Sequence, residues 1–191
     1  MGSETQNQSL VCGPFLVRLH VMAIPQSRLR GAARRPQLQT LAKSLNEAQR
    51  QGLQTAFLSH SSADIELAQG LQVVLREKGW RVYLDLVDGG RDIADASTAA
   101  RIRNKIIEYR WFLFLATGHS TKSRWCPWEI GVADGKKPNA SILIIATTDD
   151  NSSFYGSEYL QLYRRLEVTH DDDLALFEVN KNDNGTRIKQ L

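Results

Sequence analysis

Two runs, Trp111-Phe112-Leu113-Phe114-Leu115-Ala116 and Ser141-Ile142-Leu143-Ile144-Ile145-Ala146, limit the possible folds more than anything else in the chain. Each has the length of a strand, yet each is apolar at odd and even positions alike, so both of its faces must be covered. Strands of that kind sit inside parallel sheets flanked by helices. The intervening segments fit that scheme. Residues 55–60 read as a further strand ending in a polar cluster, Ser59 to Asp64. A helix is predicted over 63–78, turning Ile65, Leu67, Ala68, Leu71, Val74 and Leu75 inward and stopping at Gly79. A strand over 80–85, a loop at 87–92 and a helix over 94–109 carrying Ile102, Ile106 and Ile107 follow. The next helix starts beyond the turn at Thr117–Ser120 and runs to about Gly135, and another is predicted over 158–165. The alternation of residues 174–179 and the turn at Asp183-Asn184-Gly185 suggest an edge hairpin.

Before this region the pattern is different. Residues 1–53 carry seven Lys or Arg against two Asp or Glu, a balance of +5, while residues 54–191 carry seventeen against nineteen, a balance of −2. Together these give the net +3. The basic excess is concentrated in Ser27–Arg35, which has no interleaved aromatics and reads as a solvated linker rather than a nucleic-acid contact. A short strand over 15–22 and a helix over 36–50 flank it. The expected division is therefore an N-terminal extension at 1–53 and one α/β domain at 54–191. No eighteen-residue apolar stretch occurs, so no membrane span is expected. The opening residues lack the order of a secretory signal. The two cysteines, Cys12 and Cys126, form no paired motif, which points to a reducing cytoplasm. No metal-ligand spacing is present among the four His, and Asp171-Asp172-Asp173 reads as a solvated turn because consecutive side chains diverge.

Chemistry gathers in Ser123-Arg124-Trp125-Cys126-Pro127-Trp128-Glu129. Pro127 and Glu129 suit the first turn of a helix on general grounds, and Trp125 lies four residues before Glu129 on the same face. In an open parallel sheet, ligands bind beyond the carboxyl ends of the strands where chain direction reverses. With strand order 2-1-3-4-5, that point lies between the strands ending near His60 and Thr117. The polar cluster after His60 and the loop leading to Glu129 would meet there.

Three segments together resemble the TIR (Toll/interleukin-1 receptor) domain: Phe57-Leu58-Ser59-His60-Ser61-Ser62-Ala63-Asp64, Gly79-Trp80-Arg81-Val82-Tyr83-Leu84-Asp85 and Ser123-x-Trp125-Cys126-x-x-Glu129. The likeness covers roughly residues 54–150 in the family's order. It implies a flavodoxin-like fold with a parallel sheet of about five strands, helices on both faces and a short N-terminal strand-helix extension. The sequence is most similar to bacterial TIR proteins of antiphage defence, including the Thoeris type, which pair a signal-producing TIR protein with a separate effector. The resemblance implies cleavage of NAD+ at the nicotinamide–ribose bond, NAD+ being substrate rather than cofactor. It makes Glu129 the catalytic carboxylate and residues 86–95 the loop used in TIR–TIR self-association and gating.

That chemistry suits a lone carboxylate. Nicotinamide departs from a cationic centre as a neutral molecule and needs no acid, so only the developing ribosyl cation must be stabilised. Further candidates around the substrate are Phe57, His60, Ser61, Asp85, Trp125 and Trp128. His60 and Ser61 would contact ribose or nicotinamide, or else cap the turn. Asp85 would accept hydrogen bonds or close its turn, and one Trp would wall the site while the other joins the core. Cys126 has no basic neighbour in sequence and reads as packing. The expected function is an NAD+-cleaving enzyme making a linear or cyclic ADP-ribose signal. The alternatives are a non-catalytic TIR scaffold and another flavodoxin-like hydrolase acting on nucleosides.

Overall fold

A computed structural model describes residues 22–36, 44–84, 96–181 and 185–191. The described elements are β1 (Ile24–Pro25), α1 (Gln26–Ala33), α2 (Leu45–Arg50), β2 (Gln54–Ser59), α3 (Ile65–Arg76), β3 (Trp80–Leu84), α4 (Ala96–Glu108), β4 (Trp111–Ala116), α5 (Cys126–Lys136), β5 (Ile142–Thr148), β6 (Phe154–Tyr155), β7 (Arg164–Val168), β8 (Leu174–Phe177) and β9 (Thr186–Arg187). The strand expected at 15–22 lies almost wholly outside the described residues, as do Asp85, the loop at 86–95 and the first half of the helix expected at 36–50.

The sheet runs β3-β2-β4-β5-β7-β8-β9. Its first five strands are parallel, in the order expected for this alternation. β8 and β9 then turn back antiparallel as the predicted hairpin. All six residues of β4 and the first six of β5 are buried, as their two-sided apolar character requires. Two cores result, one on each face. One joins α1 and α3 to Leu58, Leu113, Leu115 and Ile145. The other joins α4 and α5 to Phe57, Phe112, Phe114 and Ile144. Successive strand residues alternate between these faces.

The basic run is not a linker. Gln26–Ala33 is a helix whose Leu29 and Ala32 are fully buried against α3. The arginines of the run, two in the helix and two just past its end, are each paired: Arg28 with Asp172, Arg30 with Asp150, Arg34 with Glu66 and Arg35 with Glu77. The surplus positive charge at one end of the chain thus faces surplus negative charge from further along it. The solvated-linker reading fails because these partners lie far away in sequence, where no local pattern reveals them.

A second correction concerns residues 158–165. Only a 3-10 turn, Glu158–Leu162, stands where a helix was expected, and β7 follows as the fifth parallel strand. The apparent period of Tyr159, Leu160 and Leu162 does not mark a buried face, since Leu160 is buried while Leu162 is 63% exposed. The charges inside β7 are satisfied locally, Arg165 by Glu167 at 2.7 Å and Arg164 by Glu178.

Asp171, Asp172 and Asp173 form an ion-pair hub rather than a merely solvated turn. Asp172 meets Arg28, Asp171 meets Arg187, and the mostly buried Asp173 takes Lys78 at 2.5 Å and Arg187 at 3.0 Å. The hydrogen bond from Lys78 is the main reason the Asp173 carboxyl is held well below the usual carboxylate range. A depressed carboxylate contributes stability that is present above its unfolded value, about 3.9, and is lost as pH falls below it. The thermal midpoint of Asp173→Asn is therefore expected well below the parent's at pH 6, with the gap narrowing toward pH 3. A gap independent of pH would show that the charge is not the source.

Candidate active site

Ser59 is the last residue of β2 and lies on the α4/α5 face, in phase with Phe57. Across the crevice between β2 and β4, α5 begins. Its entry is shaped by Ser123, whose Oγ accepts the N–H groups of Trp125 at 3.1 Å and Cys126 at 3.4 Å. Pro127 occupies the first turn, where its missing N–H costs nothing. The first full helical turn closes with the Glu129 N–H donating to the Trp125 carbonyl at 2.8 Å. This aims the Glu129 side chain into the sheet's carboxyl-end crevice. There Ser59 Oγ donates to Glu129 Oε2 at 2.5 Å, the length of a hydroxyl-to-carboxylate bond. Glu129 is 0% exposed. A carboxylate placed so deeply is an electrostatic device more than a surface cap.

The other predicted residues fall into several roles. Trp125 and Trp128 pack edge to face, with centroids 5.4 Å apart and planes at 82°, and both are half-buried beside Glu129. Arg103 lies 5.8 Å over the Trp128 ring. Phe57 belongs to the α4/α5 core. It is buried two residues before Ser59 on the same face of β2, stacked between Tyr83 and Phe112 at 5.9 and 6.0 Å. His60 is buried behind the end of β2. Ser61 takes the capping role, accepting the Ala63 N–H at 3.4 Å ahead of the 3-10 turn Ser62–Asp64. Cys126 is fully buried in the α4/α5 core, as packing requires. Asp85 lies outside the described residues.

Two features escaped the sequence reading. One is Ser59 as the partner of Glu129, which the period-two step from Phe57 could have indicated. The other is a network joining the two loops at the crevice. Asp64 is buried; its Oδ2 accepts Thr117 Oγ1 at 2.5 Å and its Oδ1 meets His119 Nδ1 at 2.8 Å. Ser120 Oγ accepts the Thr117 N–H at 2.8 Å, and Thr117 Oγ1 accepts the N–H groups of His119 and Ser120 at 3.2 and 3.0 Å. The polar character of both loops was visible in the sequence, but not their pairing. Among the described residues, no cluster of three or more His, Cys, Asp or Glu has the geometry to hold a metal ion. None of their helices is long and apolar enough to cross a membrane.

A parallel sheet in 2-1-3-4-5 order with a buried carboxylate at its switch point defines the class to which the molecule should be compared. Residues 56–176 match the TIR domain, and the chain belongs to that family. Over 110 residues it is 33% identical to a protein of Bacillus cereus (strain MSX-D12) named probable 3′ cyclic ADP-D-ribose synthase ThsB′. That match takes in 56% of this chain and 57% of the length of the Bacillus protein.

Proposed function

We propose that this TIR protein cleaves the nicotinamide–ribose bond of NAD+ and closes the remaining ADP-ribose into a cyclic product that serves as a signal in antiviral defence. The observation that carries this reading is the buried Glu129–Ser59 pair at the switch point of the sheet. When the C1′–N bond of NAD+ breaks, its electron pair leaves with neutral nicotinamide and positive charge grows on the ribose. A carboxylate held in a dry pocket stabilises that charge far better than one in water. Ser59 fixes the orientation of one carboxylate oxygen, leaving the group pre-aimed. The cation is then captured by oxygen or nitrogen. Water gives linear ADP-ribose, and a ribose hydroxyl or adenine nitrogen of the same molecule gives a ring, a hydroxyl losing its proton in the process. The half-buried, edge-to-face Trp125 and Trp128 support the ring-forming outcome, because aromatic walls hold a nucleotide folded and exclude water. The name of the Bacillus relative supports the same product class. The signal acts on a separate effector, and TIR–TIR self-association assembles the working enzyme.

Incubation of the purified protein with NAD+, followed by chromatography and mass analysis, tests the proposal. The expected products are nicotinamide and an ADP-ribose lighter than the linear form by one water. Linear ADP-ribose alone would mark a simple hydrolase, and intact NAD+ would return the scaffold reading.

A further inference from the structure

The Asp64–Thr117–His119 network stands apart from Glu129 and has no part in the chemistry above. It joins the two loops that border the crevice: Asp64 comes from the connection between β2 and α3, and His119 from the connection between β4 and α5. Asp64 is 4% exposed, whereas the His119 side chain is 66% exposed. The imidazole therefore has its Nδ1 turned inward to a buried carboxylate and its Nε2 turned outward. A carboxylate on one ring nitrogen orients the ring and fixes which nitrogen faces outward.

The loop itself is stiffly built. Thr117 Oγ1 anchors it to Asp64, Thr121 Oγ1 donates back to the Thr117 carbonyl at 2.9 Å, and Tyr155 closes it from the opposite side. A Cβ at Gly118 would lie 3.2 Å from the Tyr155 hydroxyl. From Thr117 through Trp128 the sequence holds His119, Lys122 and Arg124 and no acidic residue. Glu129 and Ser59 lie on the α4/α5 side of the sheet, while Asp64 leads directly into α3 on the other side. The buried carboxylate and the oriented, outward-facing imidazole thus belong to the same β4–α5 connection and the helix it enters, ten residues apart in sequence. A dinucleotide carries cationic character at the reacting ribose and two negative phosphates beyond it. Those two charges require opposite complements some distance apart.

Building on the NAD+-cleaving reading, we infer that His119, positioned by Asp64, contacts the diphosphate bridge of the dinucleotide. Its outward Nε2 is the ring atom that meets a phosphate oxygen, and Lys122 and Arg124 on the same loop add screened, longer-range attraction. Asp64 acts only through His119 and is a positioning residue.

The test measures binding without turnover. The Glu129→Gln protein is titrated calorimetrically with NAD+, and separately with nicotinamide riboside, which has the reacting bond but no phosphate. Adding His119→Ala is expected to weaken NAD+ roughly tenfold and to leave nicotinamide riboside unchanged, with a modest fall in thermal midpoint because the buried Asp64 loses a partner. His119→Gln, which can still reach Asp64 through its amide but bears no charge, should weaken NAD+ in the same selective way. Unchanged NAD+ affinity in both variants overturns the inference while the enzyme reading stands. Equal weakening of both ligands also overturns it and makes His119 a brace for the loop. If the parent neither cleaves nor binds NAD+, the enzyme reading falls and this inference falls with it.

Discussion

Glu129→Gln is expected to slow NAD+ cleavage by a hundredfold to a thousandfold, the loss that follows when about 3–4 kcal/mol of transition-state charge stabilisation is removed. The amide has the volume of the carboxylate and can still accept the Ser59 hydroxyl, so the pocket keeps its shape and loses only its charge. A buried carboxylate carries a desolvation cost that an amide does not. The thermal midpoint of the variant is therefore expected to equal or exceed the parent's. This differs from what a cleft-exposed glutamate would predict, where stability would be indifferent to the change. Single-turnover kinetics with NAD+ and a thermal unfolding curve check both halves together. Parental activity in the variant would reduce Glu129 to a helix-start residue. A large drop in midpoint accompanying lost activity would make it a structural anchor.

Gly70→Ala is expected to destabilise the protein by about 1–3 kcal/mol, because overpacking a close contact forces the backbone apart. A Cβ built at Gly70 would lie 1.9 Å from the Leu29 carbonyl oxygen and 2.6 Å from its carbon. Both are backbone atoms and cannot rotate out of the way, so α1 must withdraw from α3. The gain of about 1 kcal/mol from replacing Gly by Ala inside a helix works in the opposite direction and does not offset a clash of that size. Gly31→Ala is the matching control. It also sits in a helix, with nothing within 4 Å of its added Cβ, so it should stabilise the protein modestly. Thermal midpoints of the two variants should move in opposite directions, and amide exchange over residues 26–33 should quicken only in Gly70→Ala. Two upward shifts would show that α1 rides loosely on α3.

Local pattern was enough for β4 and β5, because a strand that is apolar on both faces has only one place in a sheet. It was enough for α3, whose Leu67, Leu71 and Leu75 repeat at helical spacing and are buried as expected. The alternation called for a parallel sheet and the flavodoxin-like order taken for it matches the strands found, and Glu129 could be singled out by its place after β4 and by the TIR motif around it. α1 could not be found this way. Its buried face is little more than Leu29 and Ala32, and what makes that sufficient is a glycine forty-one positions on and carboxylates as far away as Asp172. β7 was not found either: a helix was expected over 158–165, and the strand that stands at Arg164–Val168 holds its own ion pair, Arg165 with Glu167.

The site divides along the same line. The residue types and their spacing announce a carboxylate at a helix start beside two tryptophans. That this carboxylate lies wholly out of solvent against Ser59, seventy residues earlier, is settled only when β2 and α5 are packed on one face of the sheet. The fifty-five-residue reach from Asp64 to His119 is of the same kind. Periodicity reports which way a side chain faces on its own element. Which distant group it meets depends on how the elements are layered, and the burial and pairing of these polar groups arise at that level.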